Sequence, residues 1–281
     1  MGTTNSPQSS PPASGSPEKG FDAGTFIMHH ILDSREIEVP FTGQVIHLPE
    51  WKPGGVDLSL TRSVAMMWVA SALLLVILLA AARRAKEAVP RGVRSVVEIF
   101  VLFIRDEVAR KALGQDADRY LGYLLTTFFF ILTCNLLGLV PGMTTATASI
   151  SVTAALAGMA FVMIQLAGMR EHGFVGHFKN LLPHGIPAWL VPILLPAEIL
   201  GVFTKPFALC IRLFANMTAG HVVILSLVSL IFIMQTAYFA AVSIPMALFV
   251  YLLEILVAFL QAFIFTLLTA YFISMAAHPS H

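Results

Sequence analysis

The most unusual residue of this chain is Arg212, which lies in an apolar run too long for an ordinary core helix. A charged side chain at bilayer depth costs a few kcal/mol, so an arginine there usually serves a function. If the run is helical, with about 100° between successive residues, Ala208, Ala215 and Ala219 lie within about 60° of Arg212. The charge is therefore expected to stand in a shallow groove of small side chains, which another helix can approach closely.

Other polar residues of the same run surround this position. Asn216 follows Arg212 by one helical turn, Glu198 precedes it on roughly the same face, and His221 points to the other side. No carboxylate lies three or four residues from Arg212 to neutralise its charge. This favours an ion or substrate pathway over a purely structural role.

A second long apolar segment carries Glu254 and Gln261, which are seven residues apart and share one helix face. If the two segments fold as an antiparallel hairpin, Gln261 approaches Arg212 and Glu254 approaches His221. This hypothesis puts a permanent cation beside groups that can exchange protons.

The composition is that of an integral membrane protein. Of 281 residues, 57% are hydrophobic and 12% charged, with mean hydropathy +0.81, whereas soluble domains have about 25% charged residues. This excludes an independent soluble enzyme, and a net charge of +1 gives no indication of nucleic-acid binding. The only cysteines, Cys134 and Cys210, lie far apart in apolar segments and are expected to be small buried hydrophobes. Neither a metal nor a cofactor is expected.

The hydrophobic pattern predicts an all-α membrane protein with about five membrane helices plus an amphipathic interfacial helix over 96–112. The last two helices are long enough to require strong tilt and are expected to form an antiparallel hairpin. A loop over 169–184 and a linker over 235–244 are expected to separate the later spans, since turn-forming or polar residues occur there. The five predicted spans are 64–82, 121–140, 147–167, 196–234 and 245–276.

Basic loops set the expected orientation of residues 61–281, the predicted membrane domain. Arginine and lysine follow the first span at once, so this loop is cytoplasmic, the N-terminus extracytoplasmic and the C-terminus cytoplasmic. Residues 1–60 form a separate N-terminal segment, in which 1–20 are expected to be disordered and 21–60 to form either short strands or an amphipathic surface helix. His29 and His30 lack further metal-spaced ligands.

Several motifs resemble one known family. The stretch from Ile211 to His221, IRLFANMTAGH, is similar to the signature of subunit a of F-type ATP synthases, bacterial type. The resemblance covers about residues 60 to 277. Further matches are Pro196-x-Glu198, Thr204-Lys-Pro206, Asn135-Leu-Leu-Gly-x-x-Pro141, Leu260-Gln-Ala-Phe-Ile-Phe265 and the Ser274-Met-Ala ending.

The resemblance implies a stator subunit of the Fo sector, with two aqueous half-channels that load and unload the carboxylates of a rotating c-ring. Arg212 matches the family's essential arginine, which holds the deprotonated rotor carboxylate and blocks direct leakage. His221 and Glu254 match positions where a histidine and an acid occur in either order. The other residues implied in proton translocation are Asn216, Gln261, Asn135 and Glu198. Of these, Glu198 is expected toward the cytoplasmic exit.

The implied partners are the c-subunit ring, the b subunits of the peripheral stalk, the rest of the F-type ATP synthase, the lipid bilayer and protons. The implied location is a bacterial inner membrane. Chemistry on ATP is left to other subunits, because no phosphate-binding glycine motif or nucleophile arrangement occurs here.

Two features leave alternatives open. An acid found after the Asn135 motif in some relatives is replaced here by Gly138 and its neighbours, so the exit route is lined differently. Asn135, Asn216 and Gln261 can instead simply bond helices together.

The main rival function is a stand-alone cation/proton secondary transporter, although the chain shows no internal repeat. A respiratory membrane subunit that binds quinone or haem is a second rival. Its haem ligation needs intramembrane histidines, of which only His221 qualifies.

Overall fold

The computed structural model describes residues 36–38, 45–47, 61–83, 92–140, 143, 145–179, 191–234 and 237–278. The expectations for residues 1–35, including the disordered tail and the histidine pair, lie outside these ranges. Within the predicted N-terminal segment, Glu36–Glu38 (β1) pairs antiparallel with Val45–His47 (β2). Of the two alternatives for 21–60, short strands are therefore the one found in the described part.

Nearly all other described residues are helical, and the predicted all-α membrane fold is confirmed. Five helices in the described ranges are long and apolar enough to cross a membrane. The chain is a multi-pass membrane protein. Its helices are α1 Arg62–Arg83, α2 Val93–Phe103, α3 Arg110–Leu113, α4 Ala117–Gly138, α5 Ile150–Lys179, α6 Val191–Met234 and α7 Ala237–Ala277.

The amphipathic stretch forms α2, a π-helical segment Ile104–Ala109 and α3. After it, Gly114 takes a positive φ of 57°, and the chain turns back so that α4 packs against this stretch. Its apolar side enters the core, because the Phe100 ring lies 5.8 Å from the rings of both Phe128 and Phe259. Its charges form exposed pairs between Asp106 and Arg110 and between Glu107 and Lys111. The expected division into an apolar and a solvated face is confirmed.

Two predicted connections are wrong in part. Helix α5 continues beyond 167 to Lys179, with an interruption at Gly173, where φ is 71° and ψ is 167°. Helix α7 begins at Ala237, so the linker expected over 235–244 is helical from that residue, and Pro245 lies inside the helix. The sequence from 237 to 244 is apolar, and a proline is tolerated within a membrane helix when neighbouring groups satisfy the freed backbone.

The core lies among α4, α5, α6 and α7. Its largest fully buried side chains include Leu124, Phe128, Leu213 and Phe265. Both cysteines are free and buried, as predicted, with 1% of Cys134 and 7% of Cys210 exposed. Helices α6 and α7 pack against each other as the predicted antiparallel hairpin and hold most of the candidate site residues.

Candidate functional site

Arg212 lies on an open face of α6. Its side chain is half-buried and makes no hydrogen bond or ion pair with any other residue that the structure describes. Ala208, Ala215 and Ala219 are all exposed on this helix. A guanidinium that is never neutral and has no partner among the described residues is available to an anion on a second molecule that packs against this face.

On the side of α6 that faces α7, His221 meets Glu254. The Nδ1 atom of His221 lies 2.7 Å from Oε1 of Glu254, whose side chain is 3% exposed. The pairing expected from an antiparallel hairpin is confirmed here. The direction of the ring N–H is poor, so within the described ranges neither carboxylate oxygen has a well-aligned donor. Buried carboxylate oxygens normally have such donors, and these therefore retain capacity to accept a proton.

The second nitrogen of His221 contacts a residue that the sequence did not indicate. Oγ1 of Thr145 lies 2.5 Å from Nε2 of His221. Thr145 lies between α4 and α5, directly before the 3-10 segment Ala146–Ala148. The imidazole thus connects a hydroxyl on one side to a carboxylate on the other, which is the arrangement of a proton relay.

Two glycines allow these contacts to form. A Cβ on Gly220 would lie 2.6 Å from Oε1 of Glu254. A Cβ on Gly138 would lie 1.7 Å from Oγ1 and 2.6 Å from Cα of Thr145. The absence of side chains at both positions lets α7 and the 145–148 stretch approach the histidine closely.

A second polar pair lies nearer to Arg212. Asn216 donates a hydrogen bond of 2.8 Å from Nδ2 to Oε1 of Gln261. Gln261 is only 2% exposed, and its Nε2 has no partner in the described part of the chain. We expected Gln261 to approach Arg212; the structure bonds it to Asn216, one helical turn away. Since seven residues separate Gln261 from Glu254, the two polar layers lie about 10 Å apart along α7.

Asn135 connects three elements and is completely buried. Its Nδ2 donates to the carbonyl of Ala258 at 3.2 Å, and its Oδ1 accepts a bond of 2.6 Å from the hydroxyl of Thr147. Nearby, the hydroxyl of Tyr251 donates to the carbonyl of Leu139 at 2.8 Å, which satisfies a group at the end of α4. These bonds correspond to the helix-joining alternative for Asn135.

Glu198 is not brought to the other candidates. It is half-buried on α6, and its separation of fourteen positions from Arg212 corresponds to about 21 Å of helix. It has no ion pair among the residues described. In the same ranges, no group of three histidine, cysteine or acidic side chains could hold a metal ion.

Fold and site together define a multi-pass helical membrane protein that gathers ionisable and amide groups between two long antiparallel helices. The family model of the ATP synthase A chain matches residues 64–274. Similar proteins include "ATP synthase subunit a" of Chloroherpeton thalassium, 50% identical over 259 residues, which cover 90% of this chain and 77% of that protein. This chain belongs to the ATP synthase subunit a family.

Two other relatives show the same breadth of similarity. "ATP synthase subunit a 2" of Prosthecochloris aestuarii is 50% identical over 265 residues, covering 92% of this chain and 81% of its own. "ATP synthase subunit a" of Anaeromyxobacter dehalogenans is 48% identical over 266 residues, which cover 89% of this chain and 69% of that protein.

Proposed function

We propose that this chain is the stator proton-channel subunit of the Fo sector of an F-type ATP synthase. The observation that carries the proposal is the separation of two kinds of charged group on one hairpin. Arg212 is a fixed cation on an open face of alanines, whereas His221 and Glu254 form an internal pair that can exchange protons. A fixed charge that faces outward suits a moving partner, and a buried exchangeable pair suits a path to it.

On this proposal, the face of α6 around Arg212 lies against the ring of c subunits. The guanidinium attracts a rotor carboxylate that has lost its proton and stabilises it at mid-membrane. Because Arg212 has no usable neutral form, it cannot pass a proton on, and this prevents direct leakage between the two half-channels. The small side chains at 208, 215 and 219 let the ring pass closely without interlocking.

The polar layers between α6 and α7 supply the access path. Glu254 and His221 take up and pass protons, and the Asn216–Gln261 pair, one turn from Arg212, lines the next step towards the rotor carboxylate. Glu198, on the far side of Arg212 along α6, serves the cytoplasmic exit. Asn135 supports the path by fixing α4 against α7. Each elementary charge that crosses 100 mV is worth about 2.3 kcal/mol, so several steps are combined for each ATP.

The proposed setting is a bacterial inner membrane, with the N-terminus outside and the C-terminus in the cytoplasm. The basic loops favour this orientation by the positive-inside rule. The proposed partners are the c-ring, the b subunits of the peripheral stalk and the other subunits of the ATP synthase, which carry out the ATP chemistry.

The test is proton pumping driven by ATP in inverted membrane vesicles. Arg212→Ala is compared with wild type at equal assembly, and Arg110→Ala is the matched control, because Arg110 is an exposed arginine paired with Asp106. We expect Arg212→Ala to abolish pumping while ATP hydrolysis remains, and Arg110→Ala to pump normally. Pumping by Arg212→Ala at the wild-type rate would contradict the proposal. Antiport by the purified chain alone would instead support the transporter alternative.

A further inference from the structure

We propose that Thr145 is a positioning residue that holds the imidazole of His221 in place against Glu254 in both of its protonation states. The inference rests on the proposed function and deepens it, because it concerns the proton path through His221 and Glu254. Thr145 belongs neither to the sequence motifs nor to the helical faces that carry the other candidates.

The contacts of Thr145 are unusual for its place in the chain. It is the N-cap residue of the 3-10 segment and has an extended backbone, with φ −74° and ψ 120°. A threonine there commonly uses its hydroxyl to cap the following backbone N–H groups. Thr145 makes no such bond; its hydroxyl, in a side chain of a residue only 1% exposed, lies 2.5 Å from Nε2 of His221. The hydroxyl has therefore been diverted from the local backbone to the imidazole.

The geometry around the ring then sets the tautomer. Nδ1 lies 2.7 Å from Oε1 of Glu254, and an ionised carboxylate can only accept, so Nδ1 is the nitrogen that carries the hydrogen, although the N–H is not well aligned with that oxygen. In the neutral ring Nε2 is then an acceptor, and the hydroxyl of Thr145 donates to it. When the ring is doubly protonated, the hydroxyl rotates, and its oxygen accepts from Nε2–H. One hydroxyl thus serves both states, which a group that is only a donor or only an acceptor cannot do.

Gly138 keeps this hydroxyl in place. The side chain of Thr145 occupies the space that a Cβ at 138 would fill, so α4 and the 145–148 stretch are in direct contact. Thr145 has little freedom to turn away from His221. Gly138, which stands where some relatives carry an acidic residue nearby, therefore leaves the space that the side chain of Thr145 occupies.

The test compares two conservative variants with opposite expectations. Thr145→Val keeps the shape and removes the hydroxyl, whereas Thr145→Ser keeps the hydroxyl and removes a methyl group. In assembled complexes in inverted vesicles, we expect Thr145→Val to reduce ATP-driven pumping about five- to tenfold. This factor corresponds to the loss of one ordinary hydrogen bond. Ser should stay within about twofold of wild type, since the bond is retained. Thr145→Ala replaces Val if Val lowers the amount of assembled complex.

If Thr145 only fills space, the order of the pumping rates is reversed: Thr145→Val pumps like wild type and Thr145→Ser is impaired. That result overturns the inference. The same vesicle series includes wild type and Arg212→Ala. If Arg212→Ala is inactive but Val pumps normally, only the role of Thr145 fails. If Arg212→Ala pumps normally, the proposed function fails and the inference fails with it.

Discussion

Gly220→Ala is the sharpest single test of the proposed proton relay between His221 and Glu254. The added Cβ would lie 2.6 Å from Oε1 and 2.8 Å from Cδ of Glu254, whereas ordinary contacts begin at 3.4 Å. The carboxylate therefore has to move by about 0.8 Å. If this shift carries Oε1 away from Nδ1 of His221, their 2.7 Å separation lengthens to as much as about 3.5 Å, which is too long for a strong hydrogen bond.

The energetic consequence follows from the type of contact. Proton transfer requires the ring N–H and the carboxylate to align as a hydrogen bond to a charged group, which contributes about 1.5–3 kcal/mol, so holding the two groups apart slows proton movement by about tenfold or more. Folding is affected little, because the displaced atoms are the end of a flexible side chain and alanine favours a helix over glycine by about 1 kcal/mol. The variant should assemble normally and pump poorly.

The assay measures ATP-driven acidification of inverted vesicles, normalised to the amount of assembled complex. Gly201→Ala is the matched control, because it lies on the same helix and a Cβ there meets nothing within 4 Å. We expect the control to pump like wild type and Gly220→Ala to pump at about a tenth of that rate or less. Equal pumping by the two alanine variants would refute the argument that the carboxylate must lie against the histidine.

Three further variants separate structural from functional roles. Gly138→Ala should reduce the amount of assembled subunit, because its Cβ would lie 2.6 Å from the backbone Cα of Thr145, which cannot simply rotate away. Quantitative immunoblotting of membranes measures this amount, and normal assembly would contradict the prediction. Asn135→Leu should lower the stability of the assembled subunit by about 1–2 kcal/mol through its two lost bonds, seen as a lower thermal midpoint; unchanged stability with lost pumping would instead indicate a direct role on the proton path. Arg119→Gln should change stability by less than about 1 kcal/mol and leave pumping intact, because the side chains of its ion pair with Glu171 are 29% and 32% exposed. A larger loss in a double-mutant cycle would show that this pair is more than a surface contact.

The pairing of His221 with Glu254 could be predicted because it depends on few quantities. Two long apolar helices joined by a short connection must run antiparallel, so residues at similar distances from it come close; His221 lies 13 residues before Met234 and Glu254 lies 17 after Ala237. Glu254 and Gln261 also share a face by helical periodicity alone. Small errors in helix phase remain, which explains why Gln261 bonds to Asn216 and not to Arg212.

Thr145 could not be predicted in the same way. It lies in an extended conformation between helices, where no periodicity relates its direction to that of any other side chain. The one signal in the sequence that could have helped is Gly138, because a glycine at a helix end permits a close approach, but it does not identify the residue that approaches. The predicted start of the last span at Pro245 is wrong because proline favours the first turn of a helix, whereas the apolar residues before it allow this helix to begin at Ala237.

The open face of α6 carries the proposed contact with the rotor, and cross-linking tests that contact most directly. In a chain with Cys134→Ala and Cys210→Ala, single cysteines are introduced as Ala215→Cys and as Met217→Cys and are paired with cysteines along the c-subunit helix that carries the carboxylate. Ala215 is exposed, whereas Met217 is fully buried against Ala258 and Leu139. We expect disulfide formation with the c subunit from position 215 and none from position 217. No cross-link from 215 in an active, assembled complex would contradict it.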